Sequence, residues 1–220
     1  MTEYSRDEAY TLANSAAHRD YYDKWAKTYD KDFAKGTKYI YPQAICEILR
    51  VRSAARDLTI ADIGCGTGLI GVHLHNRKWL IDGFDISAGM LEEASKKRVY
   101  RDLIRLDLKN EKDYPSILYS AVVSCGTFTL GHLGPDVLKK MLALCADKAL
   151  CVIGVNLEHF ETLGFQSTFT ELQSKKKIEN FEIVSVPIYD KTENVNNKKN
   201  LANLCIFNYC GIVSHFYAGF

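Results

Sequence analysis

The segment Thr59-Ile-Ala-Asp-Ile-Gly-Cys-Gly-Thr-Gly68 joins an apolar run to an acid and then places glycine at every second position. Gly64, Gly66 and Gly68 tolerate positive φ and let the backbone approach a ligand closely, because glycine has no Cβ. Residues 69–77 predict a helix whose N-terminal amides face whatever lies over the loop. The segment therefore predicts a ligand-binding turn between a buried strand and a helix.

The spacing of these glycines separates two ligand classes. A dinucleotide-binding loop carries glycine at its first, third and sixth positions. Counted from Gly64, the sixth position is Leu69, and glycine stands instead at the fifth position, Gly68. The spacing therefore disfavours a nicotinamide-dependent dehydrogenase. A measurement of which cofactor binds tests this interpretation.

Further apolar segments follow the glycine loop and alternate with helical patterns. Three of them carry a polar residue near their carboxyl ends: Leu80–Ile86 with Asp85, Asp102–Leu108 with Asp107, and Ala121–Gly126 with Ser124. This alternation predicts a mostly parallel sheet with helices on both faces. Only a polar turn separates the last two predicted strands, 181–189 and 201–209, which predicts an antiparallel hairpin at the end of the sheet.

The ordered set of four strand ends resembles the motifs of the class I S-adenosylmethionine-dependent methyltransferases. The resemblance implies an α/β fold with a doubly wound, mostly parallel, seven-stranded Rossmann-like sheet, an antiparallel terminal hairpin and an N-terminal helical cover. The segment Tyr21-Tyr-Asp-Lys-Trp-Ala-Lys-Thr-Tyr-Asp30, with 84–91 and 126–132, is similar to the Williams–Beuren-region methyltransferase-like proteins within that class.

The resemblance implies S-adenosylmethionine as cofactor, S-adenosylhomocysteine as product, and a set of contacts. The glycine loop would contact the methionine portion, Asp62 its ammonium group, Asp85 the ribose hydroxyls, and Asp107 with Leu108 the adenine edge. The full set of expected cofactor contacts is Tyr22, Trp25, Tyr29, Asp62, Gly64, Cys65, Gly66, Gly68, Asp85, Ile86, Met90, Asp107, Leu108 and Ser124.

Several of these residues also have a purely structural explanation. Asp62 and Asp85 are compatible with strand-end acids that cap the following helices, and Asp107 with a turn residue. Met90 is a common type of core gap-filler. Each assignment to the cofactor therefore stands beside a structural alternative.

The aromatic stripe of the N-terminal segment also has two interpretations, one structural and one functional. Tyr22, Trp25 and Tyr29 recur at spacings of three and four, which predicts one face of a helix over roughly 19–33. Such a face packs into a core. It could also close over the site, where an aromatic face attracts a positive sulfur by about 0.5–2 kcal/mol.

Two histidines are candidates for a general base. His132 and His159 follow the fourth and fifth predicted strands, where loops face the ligand crevice of an open parallel sheet. Either could accept a proton near neutral pH, although a lone loop histidine is often simply solvated. His73 and His75 point to different sides of a predicted helix, and we predict no metal site.

The acceptor is expected to be a small molecule, methylated on oxygen or nitrogen. The net charge of +1 argues against a nucleic-acid partner. The tetrad Asn-Pro-Pro-Tyr or Asp-Pro-Pro-Tyr, typical of amino-group methylation on bases and glutamine, is absent, and 124–127 reads Ser-Cys-Gly-Thr. The alternatives are a protein or peptide methyltransferase and a non-catalytic scaffold that binds S-adenosylmethionine.

Length and composition predict a single domain over 1–220, with the helical cover at 1–52, the Rossmann-like core at 58–209 and an apolar tail at 210–220. Seven scattered cysteines and a charged N-terminus without a signal-peptide pattern favour a cytoplasmic location. Polar residues and glycines interrupt the tail, so we expect no membrane anchor. The oligomeric state is left open.

Overall fold

The structure, a computed structural model, describes residues 4–75, 77–190 and 197–211. The described helices are α1 (Arg6–Ala9), α2 (Ser15–Tyr29), α3 (Tyr41–Arg52), α4 (Leu69–Leu74), α5 (Ala88–Lys96), α6 (Pro135–Met141), α7 (Leu157–Thr162) and α8 (Phe165–Ser174). The described strands are β1 (Thr59–Ile63), β2 (Leu80–Asp85), β3 (Asp102–Arg105), β4 (Tyr119–Phe128), β5 (Cys145–Asn156), β6 (Ile178–Pro187) and β7 (Leu201–Tyr209).

The strands form one seven-stranded sheet in the order β3-β2-β1-β4-β5-β7-β6. Strands β1 to β5 pair in parallel, and β7 pairs antiparallel with both β5 and β6. Ile63 is in register with Phe84 of β2 on one side and with Ser124 of β4 on the other. The strand order reverses between β1 and β4, so a ligand crevice is expected at their carboxyl ends. The predicted fold class is confirmed.

Two apolar clusters cover the two faces of this sheet. In β5, Cys151, Ile153 and Val155 belong to the cluster on one face and Val152 to the cluster on the other, because successive side chains of a strand point to opposite sides. All four side chains are fully buried. Helices on both faces therefore enclose a double-sided core, which holds the strand ends in place.

The N-terminal cover has a core of its own. Tyr21, Trp25 and Phe33 pack with Ala9 into a separate apolar cluster. The helix predicted over 19–33 runs from Ser15 to Tyr29 and continues as one π-helical turn over Asp30–Lys35. At Gly89 the first turn of α5 lies against α2, where a Cβ would come 2.8 Å from the Asp23 carbonyl oxygen. This contact places the cover beside the carboxyl end of β2.

Some predicted boundaries were wrong. The segment Thr168-Phe-Thr-Glu171 has the pattern of a capping box, which predicts a helix that begins there. The helix instead begins at Phe165, and Thr168 lies buried inside it. Gly164 adopts φ 73° and ends the preceding α7, so the new helix starts four residues earlier than the local pattern indicates. The predicted third strand over 102–108 ends at Arg105.

The chain's last residues are only partly described. Of the predicted apolar tail at 210–220, residues 212–220 lie outside the described residues. The backbone N–H of Gly211 donates to Asp147 at 2.9 Å. Among the helices that the structure describes, none is long and apolar enough to cross a lipid bilayer.

Candidate active site

The glycine loop is fixed by backbone contacts and open on one side. The N–H groups of Gly64 and Cys65 both donate to the Phe84 carbonyl at 2.8 and 2.9 Å, which ties the loop to β2. Gly66 has φ 53°, and a Cβ built there would meet no atom of the described residues within 4 Å. Gly68 has φ 89°, and its missing Cβ leaves room for the Tyr100 ring at 2.8 Å. The space over Gly66 is thus free for a ligand.

Asp85 lies at the end of β2 beside this loop. Its carboxylate accepts hydrogen bonds from the N–H of Gly66 at 2.8 Å and from the N–H of Ser87 at 2.9 Å. Burial raises the pKa of Asp85 to about 6, and the amide hydrogen bonds oppose that rise. The two amides fix the orientation of the carboxylate, and its remaining lone pairs can accept hydrogen bonds from ligand hydroxyls.

Asp62, near the end of β1, has one oxygen without a partner. The Tyr100 hydroxyl donates to its Oδ2 at 2.6 Å, whereas Oδ1 is buried and has no hydrogen-bond partner among the described residues. Burial raises the pKa of Asp62 to about 7, although the Tyr100 hydrogen bond lowers it. An unpaired buried acceptor costs free energy. A cationic donor in the adjacent cavity would therefore fit this carboxylate.

An open cleft of about 850 Å³ lies at the carboxyl ends of β1, β2 and β4. It brings together nine of the predicted cofactor residues, namely Tyr22, Tyr29, Gly64, Gly66, Asp85, Ile86, Met90, Asp107 and Leu108. The cleft is also lined by residues that the sequence did not single out as cofactor contacts, among them His18, Leu106, Lys109, Cys125, Gly126 and Thr127.

A second cavity of about 350 Å³ adjoins this cleft. It holds two more of the predicted cofactor residues, Asp62 and Cys65, and shares Tyr29, Gly64 and Gly66 with the cleft. A ligand that enters both spaces would therefore lie across the glycine loop, with one end at Asp85 and the other at Asp62.

Three predicted contact residues do not line either cavity. Ser124 is fully buried and its hydroxyl donates to the Ile63 carbonyl at 2.8 Å, which supports the sheet under the cleft. Trp25 is 2% exposed and packs inside the cover. Gly68 forms the N-terminal boundary of α4. The structure gives these three positions supporting roles.

The acids of the N-terminal segment support the ligand loops from behind. Asp23 accepts hydrogen bonds from the Ser87 hydroxyl at 2.6 Å and from the Gly89 N–H at 2.9 Å. Asp30 accepts from the Thr67 hydroxyl at 2.5 Å and forms an ion pair with Lys97 at 2.6 Å. Neither role was predicted from the sequence, although both acids stand inside the Tyr21–Asp30 motif.

Tyr22 and His132 form a hydrogen-bonded pair in the cleft. The distance between Tyr22 Oη and His132 Nε2 is 2.9 Å, and His132 Nδ1 lies 2.8 Å from the Leu130 carbonyl oxygen. A carbonyl only accepts, so Nδ1 carries the hydrogen and Nε2 accepts from the tyrosine. Burial, together with the neighbouring His18, lowers the pKa of His132 to about 3. The imidazole is therefore neutral at pH 7, and its unprotonated Nε2 faces the tyrosine hydroxyl.

The second predicted base lies elsewhere. His159 is 3% exposed, its Nε2 is 2.9 Å from the Leu133 carbonyl oxygen, and it does not line the cleft. His18 lies in the cleft instead, with its ring centroid 4.3 Å from that of His132. The Nε2 of His18 is buried without a partner among the described residues. It is a free acceptor that the sequence analysis did not select.

Fold and site together define a class I Rossmann-like methyltransferase fold with a ligand cleft over its glycine loop. The methyltransferase domain family matches residues 60–172, and this chain belongs to that family. Human methyltransferase-like protein 27 is 27% identical over 163 residues, which are 70% of this chain. The match spans 66% of that relative, just under two thirds of its length. Its name agrees with the predicted methyltransferase-like group.

Solved structures with the same fold support this class. The magnesium protoporphyrin IX methyltransferase of Synechocystis PCC 6803, solved with bound S-adenosylmethionine, superimposes with a TM-score of 0.63 and 16% identity, covering 95% of this chain and 100% of its own. An S-adenosylmethionine-dependent methyltransferase from Clostridium acetobutylicum has a TM-score of 0.60 and 16% identity, covering 86% and 99%. At this identity the likeness concerns the fold.

Proposed function

We propose that this chain transfers a methyl group from S-adenosylmethionine to an oxygen or nitrogen atom of a small-molecule acceptor. The observation that carries the proposal is the unpaired Oδ1 of Asp62, buried beside a cavity that continues into the Asp85 cleft. An ammonium group at one end of a ligand and a ribose at the other match these two carboxylates.

The proposed cofactor contacts follow from this placement. Asp85 accepts hydrogen bonds from the ribose hydroxyls, and Asp62 accepts one from the ammonium group. Ile86, Met90 and Leu108 line the apolar part of the cleft and contact the adenine. The open space over Gly66 lets the backbone approach the ligand, which any larger residue there would prevent.

Methyl transfer requires the protein mainly to align the methyl donor with the acceptor. When bound, S-adenosylmethionine supplies a methyl group that its sulfonium has already activated for in-line attack. The cleft orients the acceptor, and such positioning is worth roughly 7–11 kcal/mol of a barrier. Tyr22 and His132 provide a neutral acceptor for the proton that the acceptor molecule loses. His159 takes no part in this arrangement.

A small acceptor fits the shape of the site better than a protein segment does. Helix α2 lies along the cleft, and its residues Ser15, His18, Tyr22 and Tyr29 form one wall. A polypeptide acceptor needs an open groove, whereas this cover narrows the approach to the cleft. The intact glycine loop and both acids argue against a scaffold that has lost catalysis.

The proposal is tested by a transfer assay with methyl-labelled S-adenosylmethionine. The purified chain is incubated with the low-molecular-mass fraction and, separately, with the protein fraction of the same cell extract. Label is expected in the small-molecule fraction. Label confined to the protein fraction would favour the alternative of a protein methyltransferase, and binding without transfer to either would favour the scaffold.

A further inference from the structure

A third cavity, here called the aromatic chamber, opens beside the cofactor cleft, and the proposed cofactor does not occupy it. The chamber is open to solvent, and the space it encloses together with its mouth is about 440 Å³. Much of its wall is supplied by Tyr10, Phe33, Tyr39, Tyr41 and Tyr189. These residues come from the N-terminal cover and from the turn after β6. The chamber thus forms where the cover meets the far side of the sheet, next to the antiparallel hairpin.

The rings of the chamber contact one another in series. Ring centroids are 5.0 Å apart for Tyr29 and Phe33, 5.1 Å for Phe33 and Tyr39, and 5.9 Å for Tyr39 and Tyr189. Such distances are those of favourable offset or edge-to-face pairs. A planar aromatic ligand would extend this series, which makes the wall selective for ring compounds over flexible aliphatic ones.

The charge of the chamber is positive. Among the described residues that line it, Arg6 is the only one with a charged side chain. Its Nη1 donates to the Tyr189 hydroxyl and to the Asn200 side-chain oxygen, both at 3.1 Å, while its ion pair with Asp7 lies toward solvent. No carboxylate is found among the described residues that line the chamber, so an ammonium group has no anionic partner in that part of the wall.

The chamber also contains an unused polar group. The hydroxyl of Tyr41 is buried and has no hydrogen-bond partner among the described residues, and the residue is 2% exposed. Buried hydroxyls normally find a partner. This hydroxyl lies against Gly154 of β5, so the polar groups that a bound ring can meet in the chamber include those of Arg6 and Tyr189.

The three cavities meet at one residue. Tyr29 lines the cofactor cleft, the cavity of Asp62 and the aromatic chamber, and Tyr22 and Gly126 line both the cleft and the chamber. The methyl group of a bound cofactor belongs between the nucleoside and methionine ends. An acceptor in the chamber would therefore present its reacting atom to this junction, next to the Tyr22–His132 pair.

We propose that the aromatic chamber binds the acceptor, an aromatic hydroxyl compound without positive charge, and that its hydroxyl oxygen is methylated. This inference rests on the proposed function. The hydroxyl oxygen forms a bond to the methyl carbon while the carbon–sulfur bond breaks and its electron pair stays on sulfur, giving S-adenosylhomocysteine. The hydroxyl proton passes to Tyr22 Oη as the Tyr22 proton passes to His132 Nε2.

A weakly basic imidazole suffices for this step. The hydroxyl proton becomes strongly acidic as the new bond to carbon forms, so a neutral acceptor at 2.9 Å from Tyr22 can receive it. The positive charge that appears on His132 also replaces the sulfonium charge that disappears. An ammonium-bearing acceptor would lack this balance and would face Arg6.

The first test measures binding of three probes to the complex of the protein with S-adenosylhomocysteine. The probes are 4-hydroxybenzyl alcohol, its saturated-ring analogue 4-(hydroxymethyl)cyclohexanol, and tyramine. The aromatic alcohol is expected to bind at least about tenfold more tightly than either of the other two. Equal binding of all three, or no binding of the aromatic alcohol, would overturn the inference. If S-adenosylhomocysteine itself fails to bind, the proposed function fails first.

Variants then locate the binding site. Tyr189→Leu removes a ring from the chamber and is expected to weaken binding of 4-hydroxybenzyl alcohol about tenfold while S-adenosylhomocysteine binds as before. Tyr209→Leu, the same change at a residue outside the chamber, is the matched control and should leave both affinities unchanged. Loss of aromatic binding in both variants, or in neither, would contradict the assignment of the chamber.

The proposed proton transfer through Tyr22 is tested separately, by comparing kcat for protonated and ionised phenols. Tyr22→Phe keeps the ring and removes the hydroxyl, so we expect a lower kcat with little change in KM for phenols that are protonated at the assay pH. For 4-nitrophenol, largely ionised at mildly alkaline pH, the defect should be much smaller because no proton must leave. An equal loss of kcat for both kinds of phenol would exclude the relay through Tyr22.

Discussion

The Thr67 hydroxyl in the glycine loop donates a hydrogen bond to Asp30 of the N-terminal cover, with 2.5 Å between the two oxygens. Asp30 also forms an ion pair with Lys97, one residue beyond α5, and Lys97 donates to the Thr67 carbonyl. The cover, the glycine loop and α5 are therefore held together at one point. The cover therefore supports the glycine loop directly, in addition to lining the cleft.

Replacing Asp30 by Asn is expected to weaken binding of S-adenosylmethionine about three- to tenfold, because a charge-assisted contact that orders the glycine loop is lost. The site is partly exposed, which keeps the effect modest. Titration calorimetry measures it. Asp20→Asn, on the exposed face of α2, is the matched control and should bind like the unchanged protein.

Asp85→Ala is expected to weaken binding of S-adenosylmethionine by at least about tenfold, because two hydrogen bonds from the ribose to a charged acceptor are lost. The exposed Asp102→Ala, at the start of β3, serves as control. Unchanged affinity in the Asp85 variant would exclude a role for this carboxylate at the ribose. Circular dichroism establishes that both variants are folded.

Gly66→Ala separates ligand binding from folding. Its φ of 53° disfavours a side chain by roughly 1–2 kcal/mol, but no protein atom obstructs the new methyl group. We expect a small fall in Tm and a large loss of affinity for S-adenosylmethionine, since the methyl group enters the ligand space. Gly164→Ala, with φ 73° at the start of α8, carries the same strain away from the site. Retained affinity in Gly66→Ala would contradict the placement.

The raised pKa of Asp62 predicts two pH effects. With a pKa of about 7 in the folded protein, against about 4 unfolded, Asp62 favours the folded state below about pH 4. This contribution is lost as the pH rises toward about 7, because the folded chain binds the extra proton in that range. From about pH 5 to about pH 7 the lowered pKa of His132 adds stability to the ligand-free protein, whereas Asp62 contributes a loss. Asp62→Asn should reduce this loss, leaving the part that Asp85, with its pKa of about 6, contributes in the same direction.

Cofactor affinity should show the opposite trend. An ammonium group requires the ionised carboxylate, so S-adenosylmethionine is expected to bind more tightly at about pH 7.5 than at about pH 5.5 and to release a proton in the acidic range. In Asp62→Asn the affinity should be low and its pH dependence smaller, leaving the part that comes from ionisation of Asp85. Calorimetry in two buffers of different ionisation enthalpy measures the proton release, and its absence would contradict the role of Asp62.

The strand-end acids were predictable from the sequence because their positions follow from local features. An apolar run ends, an acid follows, and parallel strands bring their carboxyl ends to one edge of the sheet. The prediction of Asp62 and Asp85 as site residues therefore required no knowledge of contacts between distant segments. The glycine loop was predictable in the same way, because the positive φ angles at Gly64, Gly66 and Gly68 depend on residue type.

Contacts between distant segments were not predictable. Tyr22 and His132 are 110 residues apart, and Asp62 and Tyr100 are 38 apart. The periodicity of α2 indicates that Tyr22 and Trp25 share one face of the helix. It does not predict that Tyr22 reaches the cleft while Trp25 packs inside the cover. Such differences depend on how the cover packs against the sheet, which no single segment encodes.

Titration of the purified chain with S-adenosylmethionine and, separately, with NAD decides whether the glycine loop and the two acids form a methyl-donor site. We expect micromolar binding of S-adenosylmethionine, a strong loss of that binding in Asp62→Asn, and no binding of NAD. Binding of NAD in place of S-adenosylmethionine, or undiminished S-adenosylmethionine affinity in Asp62→Asn, would contradict the site described above.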